Sequence, residues 1–157
     1  MSSTAKDLYA SLGRIAYGAV KPLLKVYVTP KHHRVRVVIL NDQNEILLVR
    51  SWLGHQRWSL PGGGMRRLET PRQAALREVL EETGLALRDV EQLGTFTNPY
   101  PDSRYTVACF MTTIPKQEPL LARYRRLEVL DIGWFPLDKL PKNYSLTVDA
   151  ALALRPQ

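Results

Sequence analysis

The feature that most constrains the fold is one helix whose start and end are both signalled in the sequence. Thr70 supplies a hydroxyl cap, Pro71 occupies the first helical position, and Gln73 stands where a capping-box partner belongs. Gly84 favours the left-handed turn that ends a helix. These signals predict a helix from about residue 71 to residue 83.

Strand-like segments lie on both sides of this helix. Before it, RVRVVIL and EILLVR flank the turn-forming NDQN, which predicts a hairpin, and a short strand WSLP then leads into PGGG. After it come the strand-like segments RDVEQLGTFT, RYTVACFMTTI and LEVLDIGWFPL, and then a second helical segment, NYSLTVDAALALR. The pattern predicts an α/β fold with a mixed sheet covered by helices.

Length and charge limit the class of protein further. The chain has 157 residues, with 22 Lys and Arg against 15 Asp and Glu, giving a net charge of +7. One domain with a packed core is expected, and the positive charge either attracts anions such as nucleotides or RNA or serves solubility alone. The lone Cys109 lies in an apolar strand-like segment and is expected to be buried. A reducing, cytoplasmic setting is the simpler expectation.

The first 30 residues form a separate segment. Residues 6–25 have an amphipathic helical pattern, and the Pro30–His33 stretch predicts a joint between an N-terminal helical arm, residues 1–30, and a main domain, residues 31–157. Charged residues and a proline interrupt every apolar run, so no transmembrane segment is expected. The arm is expected to dock on the domain or a partner rather than on a membrane surface.

Three glutamates crowd the end of the central helix. At 100° per residue, Glu78, Glu81 and Glu82 fall within one part of the circumference. The opposite face carries apolar side chains: Leu76, Val79 and Leu80. The glutamates repel one another, and their negative charges are unfavourable at the C-terminal end of a helix dipole. Such locally unfavourable residues are typical of a functional site.

Clustered carboxylates suit a hard divalent cation such as Mg²⁺, which takes oxygen ligands. The preceding LPGGG allows backbone groups to approach a ligand closely. Zinc is not favoured, because His32 and His33 lie in the joint and His55 is isolated.

Residues 63–85, GGMRRLETPRQAALREVLEETGL, resemble a Nudix box. Every fixed position of that pattern is satisfied: Gly63, Glu69, Arg77, Glu78, Val79, Glu81, Glu82, Gly84 and Leu85. The resemblance extends more loosely from about Arg34 to Leu140. It implies an α/β/α sandwich that hydrolyses a nucleoside diphosphate linked to a further group, using Mg²⁺ or Mn²⁺.

The resemblance also implies roles for single residues. Glu78, Glu81, Glu82 and the carbonyl of Gly63 would be metal ligands, and Arg77 would hold the glutamates in position. Glu69 would mainly support the loop.

The general base and the substrate contacts are less constrained by the sequence. The base is a box glutamate or a later one, with Glu128 the first candidate and Glu118 the second. Arg50 and Arg57 are candidate phosphate contacts, or solvated arginines.

Aromatic residues are candidates for stacking a nucleobase. Phe96, Tyr100 and Tyr105 could stack a base, although strand aromatics are commonly core residues. Pro101 resembles the mark of ADP-ribose hydrolases in this family.

Three functions remain open. The first is hydrolysis of a small-molecule nucleotide. The second is hydrolysis at an RNA 5′ end, guided by Arg123, Arg125 and Arg126, which otherwise form an ordinary charged loop. The third is a non-catalytic nucleotide sensor, against which the complete box argues. A homodimer is compatible with the family resemblance.

Overall fold

The computed structural model describes residues 11–12, 33–52, 55–101, 105–118 and 129–156. Apart from residues 11–12, the predicted N-terminal arm lies outside the described residues. The same is true of Glu128 and of Arg123, Arg125 and Arg126.

The described chain contains six strands and two helices beyond residue 33. In chain order they are β1 (Arg34–Asn41), β2 (Glu45–Ser51), β3 (Trp58–Ser59), α1 (Pro71–Thr83), β4 (Glu91–Thr97), β5 (Thr106–Ile114), β6 (Val129–Pro136) and α2 (Leu146–Leu152). Every strand and helix predicted beyond the arm is present. The β1–β2 turn is fixed by Asn41, whose side-chain oxygen accepts hydrogen bonds from the N–H groups of Gln43 and Glu45, each at 2.9 Å.

The strands form one mixed sheet. Its order is β3-β2-β1-β5-β4, and β6 pairs with the other edge of β2. β1 and β5 run parallel through all eight residues of β1, whereas the other described pairs are antiparallel. The predicted mixed sheet is confirmed.

β1 and β2 separate beyond their turn, and the glycine segment, residues 60–64 (LPGGG), lies in the gap between them. β1 and β2 pair near their turn, at Leu40 and Ile46. Farther along, β2 pairs with β3, while β1 bonds to the residues that follow β3: the Val37 N–H donates to the Pro61 carbonyl at 2.9 Å and the Val35 N–H to the Gly63 carbonyl at 3.0 Å. The glycine segment is therefore built into the sheet.

A helix covers each face of the sheet. On one face α1 contributes Ala74, Ala75 and Val79 to a core with β1 and β5 residues, and on the other α2 contributes Val148 and Ala151 to a second core. This arrangement is the predicted α/β/α sandwich. Cys109 is fully buried in the second core, as predicted. None of the helices in the described part of the chain is long and apolar enough to span a bilayer.

Candidate active site

The ends of α1 follow the sequence signals. Thr70 and Gln73 form the complete capping box, and Gly84 ends the helix in the left-handed conformation at φ 72°. The helix therefore begins and ends at fixed points, which fixes the direction in which its glutamates project.

The division of α1 into an apolar buried face and a displayed carboxylate face was wrong in two places. Leu80 is 48% exposed, whereas Glu78 is only 7% exposed. The reason is the packing of α1 beside the glycine segment, which covers Glu78 and leaves Leu80 on the outside. One of the three glutamates is thus a buried carboxylate, and burial of such a group requires partners.

The glycine segment provides the close approach. A Cβ built on Gly63 would lie 2.7 Å from both Cδ and Oε1 of Glu78, so the carboxylate lies directly against the Gly63 backbone. A Cβ on Gly62 would lie 2.2 Å from the Val35 carbonyl oxygen, and Gly62 has φ +137°, which favours glycine. Glycine is required at these two positions for different reasons, contact with a carboxylate and contact with the sheet.

Arg77 gathers the carboxylates on one side of the site. It donates to Glu69 at 2.7 and 2.8 Å, to Glu78 at 2.7 Å and to Glu81 at 3.1 Å, and also to the Gly64 carbonyl at 3.0 Å. Hydrogen bonding from Arg77 lowers the pKa of Glu69 to about 2. The same bond to Glu69 is the first cause that raises the pKa of Arg77. Arg77 therefore offsets most of the repulsion that the sequence shows.

Glu81 has a second cation, because Arg66 donates to its other oxygen at 2.8 Å. Glu82 is held differently: its carboxylate accepts a hydrogen bond from the Gly62 N–H at 2.8 Å. Glu78 and Glu82 thus contact the glycine segment directly, whereas Glu81 is held by Arg66 and Arg77.

Arg36 is a site residue that the sequence analysis missed. Its guanidinium donates a hydrogen bond to the Gly62 carbonyl. The guanidinium also interacts electrostatically with the carboxylates of Glu82 and Glu78. Burial lowers the pKa of Arg36, and the charge of Glu82 opposes that shift. The signal was an arginine between Val35 and Val37, which are both fully buried.

The donor set fits a hard divalent cation. Its groups are carboxylate oxygens and the Gly63 carbonyl, which accepts from Val35 and has a second lone pair. The missing Cβ of Gly63 is what allows Glu78 to lie beside that carbonyl. In the described ranges no three Asp, Glu, His or Cys side chains converge on one point as they stand. Glu78 and Glu81 are bonded to Arg77, and Glu82 is bonded to the Gly62 N–H.

The candidate phosphate contacts lie near two aromatic rings. Arg50 pairs with Asp131 at 3.2 Å, and its guanidinium lies 5.4 Å from the centre of the Trp58 ring. Arg57 donates to the Tyr100 hydroxyl at 2.8 Å and lies 5.3 Å from the centre of that ring. Neither is a simple solvated arginine.

Tyr100 joins three chain segments beside a small pocket. Its hydroxyl donates to Ser145 at 3.4 Å and accepts from the Leu146 N–H at 3.1 Å as well as from Arg57. Burial opposes ionisation, yet these hydrogen bonds lower the pKa of Tyr100. The pocket, of about 150 Å³, is lined by Ser51, His55, Gln56, Arg57, Ser59, Tyr100 and Ser145.

The other two aromatic candidates differ in environment. Phe96 packs against the core that α2 covers, in agreement with the alternative of a core residue. Tyr105 lies under Arg34, whose guanidinium carbon is 4.7 Å from the ring centre. Neither lines the pocket beside Tyr100.

Glu118 lies beside the hairpin turn, two residues after Lys116. The Lys116 N–H donates to Asp42 at 2.9 Å, and its ammonium pairs with Glu45 at 2.9 Å. Asp42 is seven residues along β1 from Val35, roughly 23 Å in an extended strand, whereas Val35 bonds directly to Gly63. This distance argues against Glu118 as the base.

Comparison with known proteins decides the family. The sequence profile of the NUDIX domain matches residues 30–154, most of the chain. The chain belongs to the Nudix family. Residues 63–85, which match the Nudix box, therefore form the end of the glycine segment and helix α1 of this Nudix domain.

The sequence match to individual relatives covers only part of the chain. The RNA pyrophosphohydrolase of Yersinia enterocolitica is 44% identical over 64 residues, which cover 41% of this chain and 36% of the relative. The chain thus matches only about a third of that relative's length.

Solved structures match over more of the chain. The MutT Nudix hydrolase of Burkholderia pseudomallei has a TM-score of 0.71 at 24% identity, covering 82% of this chain and all of that one, a likeness that establishes the fold. A UDP-X diphosphatase has a TM-score of 0.64 at 26% identity, covering 85% of this chain and 68% of that one.

Proposed function

We propose that this Nudix protein is a divalent-metal-dependent pyrophosphohydrolase acting on a nucleoside diphosphate linked to another group. The observation that carries the proposal is that Glu78 lies against Gly63 and Glu82 accepts from the Gly62 N–H, while Arg77 bonds to both Glu78 and Glu81. A purely structural helix would gain nothing from this concentration of charge. Membership of the family supports the same reaction class.

The metal, Mg²⁺ or Mn²⁺, would be held by the Gly63 carbonyl and by Glu78, Glu81 and Glu82. When bound it supplies neutralisation of phosphate charge and a lowered pKa for a water molecule. Arg77 orients Glu78 and Glu81 through the contacts described above.

We assign the general base to Glu128. It directly precedes Val129, which pairs with Ser51 at the end of β2, and Ser51 lines the pocket beside Tyr100. A carboxylate attached at this point can accept a proton from water near the phosphates. Glu128→Gln is expected to lower kcat with little change in KM, and a normal kcat would return the role to a box glutamate.

The group beyond the phosphates is proposed to enter the pocket lined by Arg57 and Tyr100. Ser59 of that pocket and Gly63 are four residues apart, roughly 13 Å along an extended chain, which suits the span from a diphosphate to its attached group. Arg57 and Tyr100 then serve binding. Of the other candidates, Arg50 supports β2 through Asp131, Tyr105 packs under Arg34, and Phe96 supports the sheet. Arg57→Met is expected to raise KM and leave kcat nearly unchanged.

The deciding experiment is a substrate panel with Mg²⁺. The panel holds ADP-ribose, sugar nucleotides, dinucleoside polyphosphates, nucleoside triphosphates and 5′-triphosphate RNA, with products resolved by chromatography. Glu82→Gln is the test variant, and Glu91→Gln, an exposed glutamate on β4, is the matched control. Loss of turnover by orders of magnitude in Glu82→Gln alone supports the metal site. Nucleotide binding without turnover in the wild type supports the sensor alternative instead.

A second candidate, hydrolysis at an RNA 5′ end, is favoured by two observations. The 44% identity over 64 residues is to an RNA pyrophosphohydrolase, and the chain carries a net charge of +7. Contact with several RNA phosphates predicts a steep loss of RNA affinity with salt. A shallow salt dependence, together with faster turnover of a free nucleotide, would exclude RNA as the preferred substrate.

A further inference from the structure

Arg36 is a partly buried charged residue near the start of β1. Its neighbours Val35 and Val37 are fully buried, and β1 pairs with β5 along its whole length. An arginine in such a position must be compensated by polar partners. Its guanidinium donates a hydrogen bond to a backbone carbonyl, that of Gly62.

Gly62 is held from both of its peptide groups. Its carbonyl accepts from Arg36, and its N–H donates to the Glu82 carboxylate at 2.8 Å. The Val35 carbonyl blocks movement on the side of the α-carbon, where a Cβ would lie 2.2 Å from the oxygen. Gly62 therefore connects the guanidinium of β1 to a carboxylate of α1.

The residues on either side of Gly62 are held by backbone bonds to β1. The Pro61 and Gly63 carbonyls accept from the N–H groups of Val37 and Val35. Gly62 lies between these two bonds, where the antiparallel pattern directs its own peptide groups away from β1. Arg36 supplies from a side chain the bond that β1 cannot supply from its backbone.

We propose that Arg36 is a positioning residue that fixes the Gly62 peptide and, through it, the carboxylate of Glu82. The proposal rests on the proposed hydrolysis for its functional meaning. Arg77 orders Glu69, Glu78 and Glu81 by direct contact from one side. Arg36 orders Glu82 indirectly, through the Gly62 peptide groups.

A different role, direct contact with a substrate phosphate, makes a different prediction. A phosphate contact acts mainly on substrate affinity, so its loss raises KM. A positioning residue acts on the geometry of the reacting groups, so its loss lowers kcat. The two roles can therefore be separated by kinetics.

The first test needs neither metal nor substrate. Hydrogen exchange of the Gly62 amide is followed by ¹H–¹⁵N NMR in the metal-free protein, for wild type, Arg36→Met and Arg36→Lys. Arg34→Met is the matched control, because it removes a guanidinium from the same face of the same strand, one that lies over Tyr105. Exchange at Gly62 is expected to accelerate about tenfold or more in Arg36→Met, less in Arg36→Lys, and little in Arg34→Met.

Two results would overturn the proposal at this stage. One is unchanged exchange at Gly62 in Arg36→Met. The other is uniform acceleration across β1 and β2, which would show that Arg36 stabilises the sheet as a whole. Arg36→Lys keeps the charge and provides a second variant if the methionine variant folds poorly.

The second test is kinetic. With a substrate found in the panel, Arg36→Met is expected to lower kcat by about tenfold or more while KM changes little, with partial recovery in Arg36→Lys. A raised KM at normal kcat would assign Arg36 to substrate binding. If the protein hydrolyses nothing, the exchange result still decides whether Arg36 positions Gly62, so the two hypotheses fail separately.

Discussion

Adding one methyl group to Gly63 should displace a carboxylate without unfolding the protein. In Gly63→Ala the new Cβ would lie 2.7 Å from Glu78 Oε1, whereas ordinary contact begins at 3.4 Å, so the carboxylate must retreat by about 0.7 Å. The clashing atoms are the end of a side chain, which can rotate, and Gly63 is not among the glycines with positive φ. The stability cost should therefore be small, roughly 1 to 2 kcal/mol for a weakened bond to Arg77.

The effect on activity should be much larger. A displacement approaching 1 Å in a reacting constellation costs up to about 100-fold in rate, so kcat of Gly63→Ala is expected to fall roughly 10- to 100-fold. The assay is Mg²⁺-dependent hydrolysis of the substrate found in the panel, alongside urea unfolding of the metal-free protein. Activity and stability are thus measured on the same variant.

Neighbouring glycines provide matched controls. A Cβ at Gly64 meets nothing within 4 Å, so Gly64→Ala should keep both activity and stability. A Cβ at Gly62 meets the Val35 carbonyl in a positive-φ conformation, so Gly62→Ala should lose on the order of 3 kcal/mol of stability. A wild-type kcat in Gly63→Ala would refute the assignment of Glu78 and Gly63 to one site.

Three further predictions concern stability and reactivity. Because Arg77 lowers the pKa of Glu69 from 4.5 to about 2, this carboxylate contributes stability that is present above about pH 4.5 and lost as the pH falls toward 2. Acid unfolding of Glu69→Gln should lack that loss; an identical pH profile would contradict it. Burial raises the pKa of the Cys109 thiol to about 12, so iodoacetamide at pH 8 should label it only when urea unfolds the chain, as mass spectrometry can show. Thr70→Ala removes the capping box and should lower the free energy of unfolding by about 0.5 to 2 kcal/mol in urea titrations, whereas no change would deny the cap a role.

Local signals in the sequence predicted most of the fold. The capping box, Gly84 and the hairpin turn depend on residues within a few positions of one another, so their outcomes could be read from short segments. The box spacing identified the glutamates for the same reason. Such features can be predicted without knowing which residues pack against them.

Features that depend on distant residues were not predicted correctly or not predicted at all. The burial of Glu78 and the exposure of Leu80 are set by the glycine segment lying on one side of α1, which helical periodicity does not include. Arg36 is 26 residues from Gly62 in the chain, and only the gap between β1 and β2 brings them together. A charged residue inside a β-branched strand was the available signal.

The parallel pairing of β1 with β5 determines how the site forms during folding. Helix α1 and the glycine segment lie in the long connection between these two central strands. Closing so long a connection carries a large entropic cost, so folding is expected to be slow for a domain of this size. The centre of the sheet and the glutamate site should therefore form together in one late, cooperative step, and a partly folded chain should contain neither.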